Sequence, residues 1–179
     1  MKFKILKFKK VKSTNDTALR IIKKTNIKNG MIIADSQDKG RGQYGKKWIS
    51  YKGNLFVSFF YCLQNIDLSI KQLTTLNCLL VKKLISIYYK KKITYKKPND
   101  LLIKKKKISG ILQEKVNKLN HTYLIVGIGV NLIKSPFLRN YPTTHLRELI
   151  NKDISKKKFE LELKKIFENN LKRLIKKRV

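Results

Sequence analysis

The chain has 179 residues, 43 Lys and Arg against 11 Asp and Glu, a formal net charge of +32, and 42% hydrophobic residues. That length suits one domain with a real core, which excludes a multidomain machine and a disordered basic tail. No apolar run reaches the roughly 18–20 residues of a membrane helix, the start MKFKILKFKK lacks a signal-peptide apolar region, and Cys62 and Cys78 sit at no metal or redox spacing.

Residues 2–9 alternate Lys with Phe, Ile and Leu and predict a half-buried strand. Ser13-Thr14-Asn15-Asp16 offers N-caps for a helix with Ala18, Leu19, Ile21 and Ile22 on its apolar side. Asn29-Gly30 signals a turn before a short buried strand at Met31–Ala34, and residues 37–53 form a Gly-rich charged loop. Asn54–Leu63 reads as a strand, and Leu73, Leu76, Leu80, Leu84 and Ile87 as the seam of a helix over 68–90. Strands follow at 93–97, 101–103, 108–116 and 122–132, with Pro98-Asn99-Asp100 as a turn and Lys104–Lys107 as a solvated hairpin tip. After Tyr141-Pro142 the pattern is helical, with Phe159, Leu163, Ile166, Phe167, Leu171, Leu174 and Ile175 on one face. The order predicts an α/β or α+β domain over 1–179, a mixed sheet flanked by helices.

The charge admits two readings. Clustered basic residues bind nucleic-acid phosphates. Yet only six are Arg (Arg20, Arg41, Arg139, Arg147, Arg173, Arg178), and Lys, Ile and Asn abound beside two Ala and three Pro. That profile fits an AT-rich coding sequence whose surface drifts to Lys, whereas a dedicated nucleic-acid binder favours Arg. Against such drift, residues of other types mark physical need. Gly40, Gly42, Gly45, Gly53, Gly110, Gly127, Gly129 and the single Trp48 fall in three short segments.

Gly40-Arg41-Gly42-Gln43-Tyr44-Gly45-Lys46-Lys47-Trp48 follows a strand. Alternate glycines let backbone N–H groups converge on an anion, and Arg41 adds a planar donor fork, although a plain tight turn also uses such residues. No G-x-G-x-x-G entering a helix and no Gly-Lys-Ser/Thr is present. Lys96-Lys97-Pro98-Asn99-Asp100 fixes the direction of Lys96 at a strand end, where it can neutralise a carboxylate or phosphoryl oxygen or be an ordinary surface Lys. Gly127-Ile128-Gly129-Val130-Asn131-Leu132 puts two glycines in an apolar strand, for a ligand or for a crossing element, and gives Asn131 an amide for a heterocycle edge.

Ser13-Thr14-Asn15, Gln37, Gly40-Arg41-Gly42, Lys47-Trp48, Lys-x-Pro-Asn-Asp at 96–100, Lys-Ile-Ser-Gly-Ile-Leu at 107–112 and Gly-Ile-Gly-Val-Asn-Leu at 127–132, in this order, resemble the catalytic domain of biotin–protein ligases. The similarity runs from about residue 11 to 150, including Tyr141-Pro142-Thr143-Thr144. It implies a fold related to class II aminoacyl-tRNA synthetases and lipoate ligases. It also implies condensation of biotin with ATP to biotinyl-5′-AMP, with Mg²⁺ on the nucleotide, then transfer of biotin to a lysine of a biotin carboxyl carrier protein.

By the same resemblance, Ser13, Thr14, Asn15 and Gln37 line the biotin site, with Gly110, Gly127 and Gly129 allowing close approach. Arg41, Gly42 and Gln43 close over biotin and adenylate, and Lys96 bridges the biotin carboxylate and the α-phosphate. Lys46, Lys47, Trp48 and Asn131 serve the adenylate. Arg41 and Lys96 are the expected catalytic cations; no metal-binding side chain is named. The chemistry agrees: two repelling anions need cations and positioning, not a nucleophilic side chain.

Two positions depart from the family. Gln43 stands where a second basic residue is usual, which weakens retention of adenylate unless Lys46 and Lys47 compensate, and Lys97 stands where Trp is usual. The start lies close to Ser13, so no N-terminal helix-turn-helix and no specific DNA binding is expected, and a Lys-rich helix stands where a C-terminal β-barrel is common. A cytoplasmic enzyme, monomer or homodimer, is expected. A lipoate or octanoate ligase on the same scaffold and a non-catalytic basic nucleic-acid-binding module are the rival readings.

Overall fold

A computed structural model describes residues 2–64, 66–139 and 141–176. Its first strand, β1 (Lys4–Val11), turns Leu6 and Phe8 inward while its lysines face solvent. It lies at the edge of the sheet, where charged side chains are tolerated and discourage edge pairing. Ser13 caps α1 (Thr14–Lys24), its hydroxyl accepting from Asp16 N. Asp16 in the first turn and Lys23 and Lys24 in the last complement the helix dipole. The helix returns the chain to β2 (Asn29–Gln37), parallel to β1.

Asn29-Gly30, expected as a turn, instead opens β2 and pairs with Tyr61 and Phe60. The ring of Phe60 fills the space where a side chain at Gly30 would begin, so this glycine serves packing. β3 (Leu55–Cys62) follows, then α2 (Ile70–Tyr88), which Ser69 and Gln72 start as a capping box. Its buried seam is Leu73, Asn77, Cys78, Leu80, Val81, Leu84 and Ile85, whereas the expected Ile87 is 44% exposed. β4 (Thr94–Lys96), β5 (Asp100–Ile103), β6 (Lys106–Lys118) and β7 (His121–Val130) complete the strands. Instead of one continuous helix, the C-terminal part forms α3 (Leu146–Ile150) and α4 (Lys156–Lys176). Asn151 in the left-handed region stops the first, and Ser155 accepts from Lys158 N at the start of the second.

Among the described residues seven strands form one mixed sheet in the order β1-β2-β3-β7-β6-β5-β4, antiparallel except for β1 with β2. α2 and α4 cover one face. There Leu55, Val57, Phe59 and Tyr61 meet Leu73, Val81 and Leu84 of α2 and Phe159, Leu163 and Phe167 of α4, with Phe59 and Phe167 stacked at 4.2 Å. Ile166 and Leu174 are partly buried beside them, and Ile175 lies outside the described side chains. Among the described residues no helix is long and apolar enough to cross a membrane.

Among the described helices only α1 packs on the opposite face. Ala18 and Ile22 pack there on Ile32, Phe60, Tyr123 and Ile125. An 11-residue helix is about 16 Å long, half the roughly 33 Å of the ten-residue β7. Side chains alternate across a strand, so the row containing Tyr123 and Ile125 continues as Gly127 and Gly129, and Gly110 pairs beside Gly129. The uncovered half of this face therefore has no side chains on those positions, and a cavity opens over it.

Candidate active site

The cavity measures about 380 Å³. Its closed end is built by the first turn of α1. Gln37 Oε1 accepts from Thr14 N at 2.8 Å and Thr14 Oγ1 at 3.1 Å, and Gln37 Nε2 donates to Ser50 Oγ at 3.1 Å. Ser58 Oγ lies 2.8 Å from Thr14 Oγ1 and 2.5 Å from Asn15 Oδ1. Asn15 Nδ2 donates to Glu114 Oε2 at 2.7 Å and Leu112 O at 3.3 Å. Ser13, Thr14, Asn15 and Ser58 are buried, so this end is a preformed polar network.

The Gly-rich loop forms one wall. Gly42 N donates to Lys46 O at 2.6 Å and Trp48 N to Gly40 O at 2.9 Å, which folds 40–48 into a hairpin tipped by the turn at Gln43–Gly45. Tyr44 occupies the left-handed region there and is 91% exposed. At the base of the loop the Trp48 indole lies on the glycine patch. It occupies the place of a side chain at Gly129 and comes within 2.9 Å of a Cβ built on Gly110, while the carboxamide of Asn15 does the same over Gly127. The close approach these three glycines permit is, first, by the protein's own side chains. Trp48 Nε1 is buried without a hydrogen-bond partner.

Arg41 was expected to present its charge to the reactants. Its Nη2 lies 2.7 Å from Asp16 Oδ1 and 2.8 Å from Glu114 Oε2, so its nearest anions are protein carboxylates. Burial works against the charged guanidinium, but the Glu114 and Asp16 carboxylates outweigh it and its pKa is raised.

At the other end Lys96 Nζ lies 3.2 Å from Tyr141 Oη and 4.4 Å over its ring. Tyr141 donates to Asp100 Oδ2 at 2.7 Å, and burial together with that carboxylate pushes its phenol up, so it stays a neutral donor. Lys107, assigned by sequence to a solvated tip, is partly buried instead. Its Nζ pairs with Asp100 Oδ1 at 2.7 Å and lies 5.5 and 5.4 Å from the Trp48 and Tyr141 rings. The cause is a bulge: Leu101 pairs with Ser109 but Leu102 with Lys107, so Ile108 is the extra residue. The bulge turns Lys107 to the face of Gly110, while Lys104 and Lys105 form the exposed tip.

Asn131 is buried. Its Nδ2 donates to Thr144 O at 3.1 Å and among the described residues its Oδ1 has no partner, which leaves one acceptor for a ligand N–H. Asn54 sets its position, its Oδ1 accepting from the backbone of Leu132, Ile133 and Lys134 just beyond. Every position expected from the sequence, from Ser13 to Asn131 and including Gln43, Lys46 and Lys47, borders this one cavity, with Lys97 of the same strand end. The sequence named Asp16 only as a cap candidate and Asp100, Lys107 and Tyr141 only as motif or turn positions, and it pointed to neither Ser58 nor Glu114. A lone Ser in LFVSFFYC was a usable signal for Ser58. Among the described residues no group of three or more His, Cys, Asp or Glu could hold a metal ion, and Asp100 is already engaged by Lys107 and Tyr141.

The family model described as Biotin/lipoate A/B protein ligase family matches residues 7–131. The bifunctional ligase/repressor BirA of Escherichia coli is 30% identical over 125 residues, 68% of this chain and 38% of that protein. The biotin–[acetyl-CoA-carboxylase] ligase of Paracoccus denitrificans is 29% identical over 127 residues, 69% of this chain and 52% of that protein. The chain thus spans less than two thirds of these relatives. Among solved structures, the biotin protein ligase from Aquifex aeolicus in complex with biotin and ATP superposes with a TM-score of 0.83 at 31% identity, over 97% of this chain and 72% of that one.

Proposed function

We propose that this chain, which belongs to the Biotin/lipoate A/B protein ligase family, joins biotin to ATP and passes it to a lysine of a biotin carboxyl carrier protein. One observation carries the reading: Lys96 and Lys107 flank the Tyr141 ring in a cavity whose other end is a neutral network of Thr14, Asn15, Gln37 and Ser58. A neutral, hydrogen-bonding end suits the cyclic urea of biotin, and an end where two ammonium groups outnumber the single Asp100 carboxylate suits the meeting of a carboxylate with a phosphate.

In the first step a biotin carboxylate oxygen attacks the α-phosphorus of ATP, the bond to the bridging oxygen breaks, and pyrophosphate leaves. Lys96 and Lys107 reduce the repulsion between the anions, and Tyr141 and Asp100 hold both ammonium groups in place. The free Asn131 Oδ1 can accept from the adenine amino group, and the indole of Trp48 offers it a flat surface. Magnesium bound to the triphosphate would keep several waters and add charge neutralisation, with no protein ligand required. In the second step the carrier's ε-amine attacks the biotinyl carbonyl, an amide forms, and AMP leaves. The Gly-rich loop shields the anhydride from water in between. The reading includes a cytoplasmic location, in keeping with two unpaired cysteines.

Incubation with labelled ATP and biotin, lipoate or octanoate, followed by a carrier domain, tests this. Biotin alone should give an adenylate, and K96A should lower its formation by about a hundredfold or more. Adenylate formed from lipoate or octanoate in preference would sink the proposal.

A further inference from the structure

The loop hairpin over 40–48 is closed by its own backbone bonds, which fix its shape but not its place over the cavity. Its base is held by Trp48 on the glycine patch. Nearer the tip, Arg41 is the tether: among the described residues, no other side chain from 41 to 47 makes a hydrogen bond or ion pair with the rest of the protein. The two acceptors come from different elements, Asp16 from the first turn of α1 and Glu114 from the middle of β6. Glu114 is itself fixed, because the oxygen that receives Arg41 also receives Asn15 Nδ2 at 2.7 Å, and Asn15 is held by Ser58.

We infer that Glu114 and Asp16 are positioning residues that clasp Arg41 and so hold the Gly-rich loop closed over the cavity. Two carboxylates face one guanidinium, so the positive charge of Arg41 is spent within the protein. Its work is mechanical, and at the far end of the cavity Lys96 meets the hydroxyl and ring of Tyr141 rather than a carboxylate. Because Asn15 belongs to the closed end and also donates to Glu114, occupancy of that end and loop closure share one hydrogen-bond chain. The consequence for catalysis rests on the biotin reading above; the clasp itself does not.

The test uses the full chain without ligand, as wild type, D16N, E114Q, E114D and the double variant D16N/E114Q. Acrylamide quenching of Trp48, the single tryptophan, and chymotryptic cleavage after the exposed Tyr44 report the loop. The double variant should be cleaved about tenfold faster with stronger quenching, E114D should recover most of the protection lost in E114Q, and the thermal midpoint should stay near wild type. If the double variant fails to fold, D16N carries the comparison, since Asp16 is half-exposed. Wild-type cleavage and quenching in the folded variants overturn the clasp. With biotin and ATP added, the variants should raise KM for biotin about tenfold and change kcat little. An unchanged KM beside faster cleavage overturns the catalytic link. Faster cleavage with no adenylate from any form, wild type included, upholds the clasp and refutes the biotin reading.

Discussion

The indole of Trp48 occupies the place that a side chain at Gly129 would take. One residue comes from the end of a loop and the other from near the C-terminal end of a core strand, and their contact positions the loop against the sheet. Loop and floor are therefore one fitted unit.

Replacing Gly129 by Ala must move that indole. Overpacking of this kind costs about 1–3 kcal/mol. G129A should red-shift the emission of Trp48 and lower adenylate formation, while G45A, where nothing lies within 4 Å of an added Cβ but φ is +73°, should strain only the loop tip. Unchanged emission from G129A would contradict the packing.

Lys107 and Lys104 belong to the same lysine run, but Lys104 sits in the exposed turn whereas the bulge at Ile108 turns Lys107 toward the cavity. K107M keeps the stem and removes the charge that pairs with Asp100. It should lower adenylate formation about a hundredfold or more, whereas K104M should stay within about twofold of wild type. Equal rates for the two variants would show that Lys107 takes no part in charge neutralisation.

Ser58 is fully buried against Thr14 and Asn15. S58A leaves both partners short of a polar contact in a closed environment. Unfolding in denaturant should show a loss of about 1–3 kcal/mol, and KM for biotin should rise more than kcat falls. Wild-type stability would indicate that water replaces the hydroxyl.

Asp35 on β2 pairs with Lys156 at the start of α4 at 2.9 Å. The hydrogen bond from Lys156 is the main cause of a pKa below the ordinary 3.8, opposed in part by burial. A carboxyl lowered on folding adds stability above its unfolded pKa and loses it as pH falls through the folded one. Stability from this pair should thus be complete above about pH 5 and disappear as the solution is acidified below pH 4. D35N should flatten that part of the stability curve in a pH series of thermal melts. A curve superposable on wild type would remove the pair from the account.

Local sequence carries the succession of strands and helices, because period-two and helical apolar patterns and Ser caps act over a few residues. It also determined most positions of the cavity. Most glycines and the tryptophan of this Lys-rich chain stand where backbone or ring comes close, and Gly45 where φ is positive. The pairing of the charges came from the fold. Arg41 meets Glu114 across 73 positions, and Ser58 meets Asn15 across 43, through strand register that no local pattern records. The lysine run at 104–107 is uniform in sequence. One extra residue in β6 turns Lys107 into the cavity, because side chains alternate along a strand and a bulge resets that alternation, while Lys104 stays in water at the turn.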